Sequence, residues 1–79
     1  YPNPFNSETT IEFFLTNTTD VTVELFNVGG QRIRGLAAGT YGAGLHAIRV
    51  AAAGLPSGVY FYRMIAAGAS QTRRMALVK

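Results

Sequence analysis

The chain has 79 residues, 48% of them hydrophobic and 14% charged, which excludes an intrinsically disordered segment and limits it to a single small domain over residues 1–79. It contains no cysteine and one histidine, so disulfides and an ordinary structural zinc site are excluded, and its net charge of +3 is too dispersed to indicate a nucleic-acid binder. No apolar run approaches the roughly 20 residues of a membrane-spanning helix, and the opening residues match neither a protein start nor a signal peptide, so we expect a segment of a longer protein.

Six strands are expected along the chain. An extended lead-in over residues 1–8, whose prolines disfavour a helix, precedes a run in which Ile11, Phe13 and Leu15 share one face. Comparable β-rich runs follow, and clusters of glycine, asparagine and proline separate them. The predicted strands cover residues 9–15, 21–26, 32–36, 45–50, 58–66 and 71–79.

The connections between these strands are rich in glycine. The adjacent Gly29 and Gly30 predict a tight hairpin, whereas residues 37–44 hold three glycines and are expected to form a flexible connector that could add a seventh strand. Residues 58–66 are nearly apolar on both faces, as in a central strand covered on both sides, and the last strand is expected to pair with them antiparallel. This pattern predicts an all-β fold, an immunoglobulin-like antiparallel β-sandwich of six to seven strands.

A tyrosine corner is predicted at the entrance of the fifth strand. Tyr60 follows a turn made by Leu55, Pro56, Ser57 and Gly58. In immunoglobulin-like sandwiches a tyrosine at a strand entrance hydrogen-bonds back to the preceding turn. We therefore expect Tyr60 to face the core, on the same side of the strand as Tyr62 and Met64.

The ionisable residues predict no catalytic, cofactor or metal site, and we expect no enzyme. A hydrolytic triad would have to use His46 and Asp20, but the strand pattern around His46 is typical of a structural histidine bonded to a loop carbonyl. Asp20 and Asn17 could supply oxygen ligands to calcium, yet a threonine-rich turn explains the same residues. Glu12 and Glu24 are expected on outward faces of adjacent strands, as ion-pair partners of arginines. These arginines are Arg32, Arg34 and Arg74.

Two further patterns have ordinary explanations. Residues 42–47 fit the G-x-G-x-x-A dinucleotide pattern, but a strand follows them where that motif requires a helix. Phe14, Phe26 and Phe61 lie on outward faces and are compatible with base stacking or sugar binding. Packing against the lead-in or a parent domain explains the same three residues, and we favour that interpretation.

Several short motifs along the whole chain resemble those of a known family, and they occur in the same order and spacing. They are Y-P-N-P-F-N at residues 1–6, T-T-I at residues 9–11, Gly44 with His46, Leu55 with S-G-V-Y-F-Y-R at residues 57–63, and Thr72, Arg73, Met75 and Lys79 near the end. Together they resemble the C-terminal sorting domain of type IX secretion cargo. More distantly, they resemble the immunoglobulin-like domain of flagellar hook-capping proteins.

The resemblance implies a sorting signal of Bacteroidetes-like bacteria. In that family, cargo crosses the inner membrane by an N-terminal signal, and the folded domain then directs it from the periplasm to the outer-membrane translocon. A sortase commonly removes the domain, and the cargo is attached to a surface lipopolysaccharide or released outside the cell. The implied partners are the translocon, its sortase and the upstream cargo domain.

The family motifs also imply two groups of functional residues. The residues expected to be recognised by the translocon are Ser57, Gly58, Val59, Tyr60, Tyr62, Arg63, Thr72, Arg73, Arg74, Met75 and Lys79. The motif that opens the domain consists of Tyr1, Pro2, Asn3, Pro4, Phe5 and Asn6.

The chain departs from the usual family pattern at three places. Ser7 and Glu8 stand where Pro-Ser is usual, residues 29–31 replace Leu-Gly-Arg, and Val50 and Ala51 replace Trp-Asp. Loss of that tryptophan removes a large core aromatic, so stability should fall unless neighbouring side chains fill the space. The C-terminal motif is unaffected.

We expect recognition through an exposed edge strand over residues 72–79. A translocon strand could extend the sheet there, with backbone hydrogen bonds giving affinity and alternate side chains giving selectivity. Arg73, Arg74 and Lys79 would then meet acidic groups. The alternative functions are a spacer or carbohydrate-binding accessory module of a surface enzyme, and an assembly domain of the hook-capping type.

Overall fold

The structure, a computed structural model, describes residues 8–51 and 54–77 and has an all-β fold. Two antiparallel sheets, one pairing β1 with β4 and the other ordered β3-β2-β5-β6, form the predicted immunoglobulin-like sandwich. The strands are β1 (Glu8–Leu15), β2 (Thr19–Asn27), β3 (Arg32–Tyr41), β4 (Gly44–Ala51), β5 (Gly58–Ala66) and β6 (Ala69–Leu77).

The prediction of a flexible connector over residues 37–44 is wrong. Strand β3 continues to Tyr41 and pairs with β2 as far as Thr19, so most of that segment belongs to the sheet and adds no seventh strand. Its alanines and glycine belong to the strand because the ladder to β2 satisfies their backbone groups, and the two register shifts of that ladder lie earlier in β3, opposite residues 23–26. The predicted lead-in lies outside the described residues except for Glu8, which begins β1.

Asn27 organises the hairpin between β2 and β3. Its Oδ1 accepts hydrogen bonds from the backbone N–H groups of Gly29 and Gln31 at 2.9 and 3.0 Å. Gly30 has a φ of 83°, a conformation that glycine adopts without strain. The hairpin is thus the predicted one, with an asparagine side chain in place of further backbone bonds.

Alternating apolar residues build the core between the sheets. β1 contributes Ile11, Phe13 and Leu15, and these pack against side chains of β2, β4 and the inner face of the larger sheet. Val50 stands where the resemblance led us to expect a tryptophan, and it has no exposed surface. Neighbouring side chains therefore close completely around the smaller residue. The fully buried side chains are Val21, Val23, Leu25 and Val50.

Strand β5 is interior to its sheet, as predicted. The expectation that both of its faces are covered is wrong. Tyr60 is buried on the inner face, whereas Val59 and Ile65 on the opposite face are 41% and 38% exposed. The reason is that the smaller sheet covers only the inner face of the larger one. The apolar residues on the outer face of β5 are therefore part of the protein surface.

Candidate recognition surface

The hairpin of β5 and β6 brings most of the predicted recognition residues together. Gly58 begins β5, Ser57 precedes it, and the turn at Ala67 and Gly68 leads directly into β6. The two strands pair antiparallel over their whole length, as expected. The register places these pairs side by side: Val59 and Ala76, Tyr60 and Met75, Tyr62 and Arg73, Arg63 and Thr72.

The predicted tyrosine corner is present at the start of this hairpin. The Tyr60 hydroxyl donates a hydrogen bond of 2.6 Å to the carbonyl oxygen of Pro56, and the tyrosine side chain is buried with Leu25, Leu55 and Leu77. Tyr62 also packs against the core, as does Met64. Tyr60 therefore ties the preceding turn to the hairpin and has a structural role within the predicted recognition motif.

Arg63 is held by residues of β2. Its Nη2 donates a hydrogen bond of 3.2 Å to Oε1 of Glu24, while Nε of Arg32 donates one of 2.8 Å to Oε2 of the same carboxylate. The guanidinium carbon of Arg63 lies 4.9 Å from the centre of the Phe26 ring, which is a cation–π distance. Its Nε is buried and makes no hydrogen bond to any of the described residues. Arg63 is therefore engaged within the domain.

The two arginines lower the pKa of Glu24. The hydrogen bond from Arg32 contributes most, followed by the hydrogen bond from Arg63, and partial burial opposes both. The carboxylate is consequently ionised throughout the neutral range and keeps both guanidinium groups in place. Arg32 is the partner expected from the sequence, whereas Arg63 was not expected, because the pairing of β2 with β5 determines that contact.

Among the strands that the structure describes, β6 is an edge strand, as predicted, and its two consecutive arginines point to opposite faces. Arg73 lies opposite Tyr62, on the face toward the smaller sheet, and Arg74 lies opposite Phe61, on the outer face. Both arginines and Thr72 are exposed, whereas Met75 packs partly against the core. A strand pairing with the free edge of β6 would therefore meet one cation on each of its faces.

The remaining predicted residues divide into two groups. Val59 is exposed within β5, and Ser57 is exposed just before that strand. Lys79 and the opening motif of residues 1–6 lie outside the described residues.

The candidate sites for other chemistry have structural explanations. Nε2 of His46 lies 2.6 Å from the carbonyl oxygen of Gly42, and its ring stacks on Phe13, so the predicted structural histidine is confirmed. Asp20 accepts a hydrogen bond of 2.7 Å from the Thr40 hydroxyl. Within residues 8–51 and 54–77, no group of three acidic, histidine or cysteine residues could hold a metal ion, and no helix could cross a membrane.

Two expectations about side-chain groupings need correction or refinement. Glu12 and Glu24 do not lie on adjacent strands, because β1 and β2 belong to different sheets. The expected ion pair of Glu12 with an arginine is also wrong, since of the two only Glu24 has such partners within the described residues. The three phenylalanines do not form a shared platform either. Phe14 is 67% exposed on the smaller sheet, whereas Phe26 and Phe61 are half-buried on the larger one, with Arg63 over Phe26.

A scan against protein families matches the complete chain, residues 1–79, to the model described as "Secretion system C-terminal sorting domain". The chain belongs to this family. Its members carry the sorting signal of type IX secretion, and cargo sorted in this way is exported to the cell surface or the extracellular space. The family is one of sorting signals and is not itself catalytic. No curated protein and no solved structure matches the sorting domain significantly.

Proposed function

We propose that this sorting domain directs its cargo through the outer-membrane translocon of type IX secretion by presenting the free edge of β6. A translocon strand pairs with that edge, and its acidic side chains meet Arg73 and Arg74 on the two faces of the extended sheet. Family membership and the exposed, cationic edge strand support this role. After export, a sortase removes the domain, and the cargo is attached to the surface or released.

The charge distribution supports recognition of an acidic partner. Between residues 54 and 77 the chain has three arginines and no carboxylate, and one of them, Arg63, forms an ion pair with Glu24 of β2. Arg73 and Arg74 make no ion pair within the described residues. Unpaired cations beside free backbone N–H and C=O groups select for carboxylates on an incoming strand and oppose pairing with basic segments.

The test is surface delivery of a reporter enzyme that carries an export signal at its N-terminus and residues 1–79 at its C-terminus. Deleting residues 73–79 should abolish delivery in a host with an active type IX system. Replacing both arginines by glutamate should reduce delivery strongly, whereas the double lysine variant should retain most of it because the charge remains. Thermal unfolding of each purified domain establishes whether the fold is intact.

Two outcomes would overturn the proposal. Undiminished surface delivery after the deletion would show that the β6 edge is not read. Equal delivery by the folded glutamate and lysine variants would show that charge on β6 is irrelevant. A strain without the translocon provides the baseline for both measurements.

A further inference from the structure

A groove opens between the two sheets beside β1. One cavity in it has a volume of about 290 Å³ and is lined on one side by four consecutive residues of β1, from Ile11 to Phe14. Consecutive strand residues point to opposite faces, so a wall made of all four is the backbone edge of the strand rather than one of its faces. The floor is the inner face of the larger sheet, formed by Tyr62, Met64, Gln71 and Arg73.

The groove continues along β1. A second cavity of about 190 Å³ shares Phe14, Met64 and Gln71 with the first and extends to Leu15 and Ala66. The wall therefore spans five residues of β1, a length of about 17 Å at the usual rise of a strand. This length suits an extended peptide and is greater than a compact ligand requires.

The groove exists because the two sheets differ in width. Two strands face four, and within the described residues β1 pairs only with β4, which leaves its other edge free above the inner face of β5 and β6. A strand added to β1 would lie about 4.8 Å from it and about 10 Å above the floor, as the third member of the smaller sheet. Its inward side chains would cover Tyr62 and Met64, which are half-buried, and Arg73, which is exposed.

We infer that the β1 edge and this groove form a second acceptor site, which binds an extended strand of a partner protein in the export machinery. This inference rests on the proposed function and adds a site distinct from the β6 edge. The inward face of the bound strand carries apolar side chains over Tyr62 and Met64 and a carboxylate directed to Arg73. The floor supplies one cation and no carboxylate, because Glu12 lies in the wall on an exposed outward position.

A second copy of the chain does not provide this pattern. If β1 of another copy paired with β1, its inward residues would be Ile11, Phe13 and Leu15, and no carboxylate would reach Arg73. If β6 of another copy entered the groove, its own Arg73 or Arg74 would approach Arg73 of the floor, and the two positive charges would repel each other. The charge of the floor therefore favours a different, acidic partner.

The test uses a synthetic probe, a fluorescently labelled heptapeptide with threonine at the odd positions, valine at positions two and six, and glutamate at the centre. Its affinity for the intact 79-residue chain is measured by fluorescence anisotropy, together with that of a matched peptide with lysine at the centre. The glutamate peptide should bind about two- to fivefold more tightly, the range for an exposed ion pair. The Arg73→Glu variant should reverse this preference.

Three controls separate the groove from the β6 edge. Arg74→Glu should change the preference less than Arg73→Glu does, because Arg74 lies on the outer face, away from the floor of the groove. Phe14→Thr should weaken binding of both peptides, whereas Val28→Thr, which alters a side chain of similar exposure at the β2–β3 turn, should not. Two further peptides carry N-methyl groups, one on the odd-numbered and one on the even-numbered residues. Only one of the two should lose binding, since a strand donates hydrogen bonds to its neighbour through every second residue.

Several results would overturn the inference. These are absence of peptide binding, an equal effect of the two arginine reversals, no effect of Phe14→Thr, and a dimer of the chain that the peptide displaces. The reporter experiment remains independent of them. If deletion of residues 73–79 abolishes export but the peptide does not bind, only the groove inference is refuted. If the peptide binds but the deletion leaves export undiminished, only the β6 proposal is refuted.

Discussion

The Tyr60 hydroxyl links the turn at Pro56 to the buried end of the β5–β6 hairpin. Its bond to the Pro56 carbonyl is 2.6 Å long, and the ring around it is 6% exposed, so water replaces this bond poorly. Tyr60 also belongs to the sequence motif that carries the resemblance to the family. At this position the motif preserves the shape of the β5–β6 hairpin.

We predict that Tyr60→Phe lowers the free energy of unfolding by about 1 kcal/mol, since it removes the hydroxyl and leaves the apolar packing intact. Urea denaturation monitored by circular dichroism measures this loss. Tyr62→Phe is the matched control, because the Tyr62 hydroxyl makes no hydrogen bond within the described residues. Equal unfolding free energies for both variants would contradict a stabilising role for the corner.

Glu24 joins β3, β2 and β5 through Arg32 and Arg63. Because its pKa is lowered in the folded protein, the unfolded chain takes up this proton first as the pH falls. The stabilising contribution of Glu24 is therefore complete above the ordinary glutamate pKa of 4.5 and is lost as the pH falls through the lower, folded value. The pair with Arg63 also restrains the outer face of the hairpin.

We predict that Glu24→Gln lowers stability at pH 7 and that the difference from the unaltered protein shrinks between pH 5 and pH 3. Urea midpoints at several pH values measure both quantities. Glu12→Gln should show little difference at any pH, because Glu12 is exposed and forms no ion pair within the described residues. A constant difference for Glu24→Gln across this range would contradict the linkage.

At the scale of elements, the β5–β6 hairpin contains one strained turn residue. Ala67 has a φ of 52° and Gly68 one of 79°, so both turn residues occupy the left-handed region, as in the two-residue turns that match the twist of paired strands. Alanine is disfavoured there because its Cβ approaches the following carbonyl oxygen. The hairpin that carries the edge strand is thus closed at a local energetic cost.

We predict that Ala67→Gly raises the free energy of unfolding by up to about 1 kcal/mol, because relief of the strain exceeds the added entropy of the unfolded chain. The control is Ala69→Gly, two residues later at the start of β6, which should destabilise by about 0.5–1 kcal/mol, since glycine weakens a regular strand. Chemical denaturation of the two variants compares them directly. A loss of stability in Ala67→Gly would contradict the strained turn.

At the scale of the whole molecule, the difference in width between the sheets creates the surfaces available to partners. Among residues 8–51 and 54–77, the four-stranded sheet leaves the edge of β6 free, and the two-stranded sheet leaves the edge of β1 free above it. Natural sheets usually protect such edges with charges or covering segments. In the proposed recognition, exposed edges provide backbone groups for pairing, while Arg73 and Arg74 discourage pairing between identical chains.

Much of the fold was predictable from local patterns. Alternation around Ile11 and Val23, the glycine pair after Asn27, and the turn before Tyr60 each depend on neighbouring residues, so they identified strands, a hairpin and a corner. The length of β3 was not predictable in this way. Its alanines and Gly39 have low strand propensity, and only the ladder to β2 keeps them extended.

By itself, the sequence determined the strand content, the inward-facing residues and the family, because these follow from side-chain periodicity and from motifs along the chain. Only the tertiary structure decided which strands are neighbours, and hence that Glu24 holds Arg63 across 39 residues, that Arg73 and Arg74 lie on opposite faces, and that β1 borders an open groove. The reason is physical: periodicity specifies which face of a strand is buried, whereas the pairing of strands depends on the combined burial of residues that are distant along the chain.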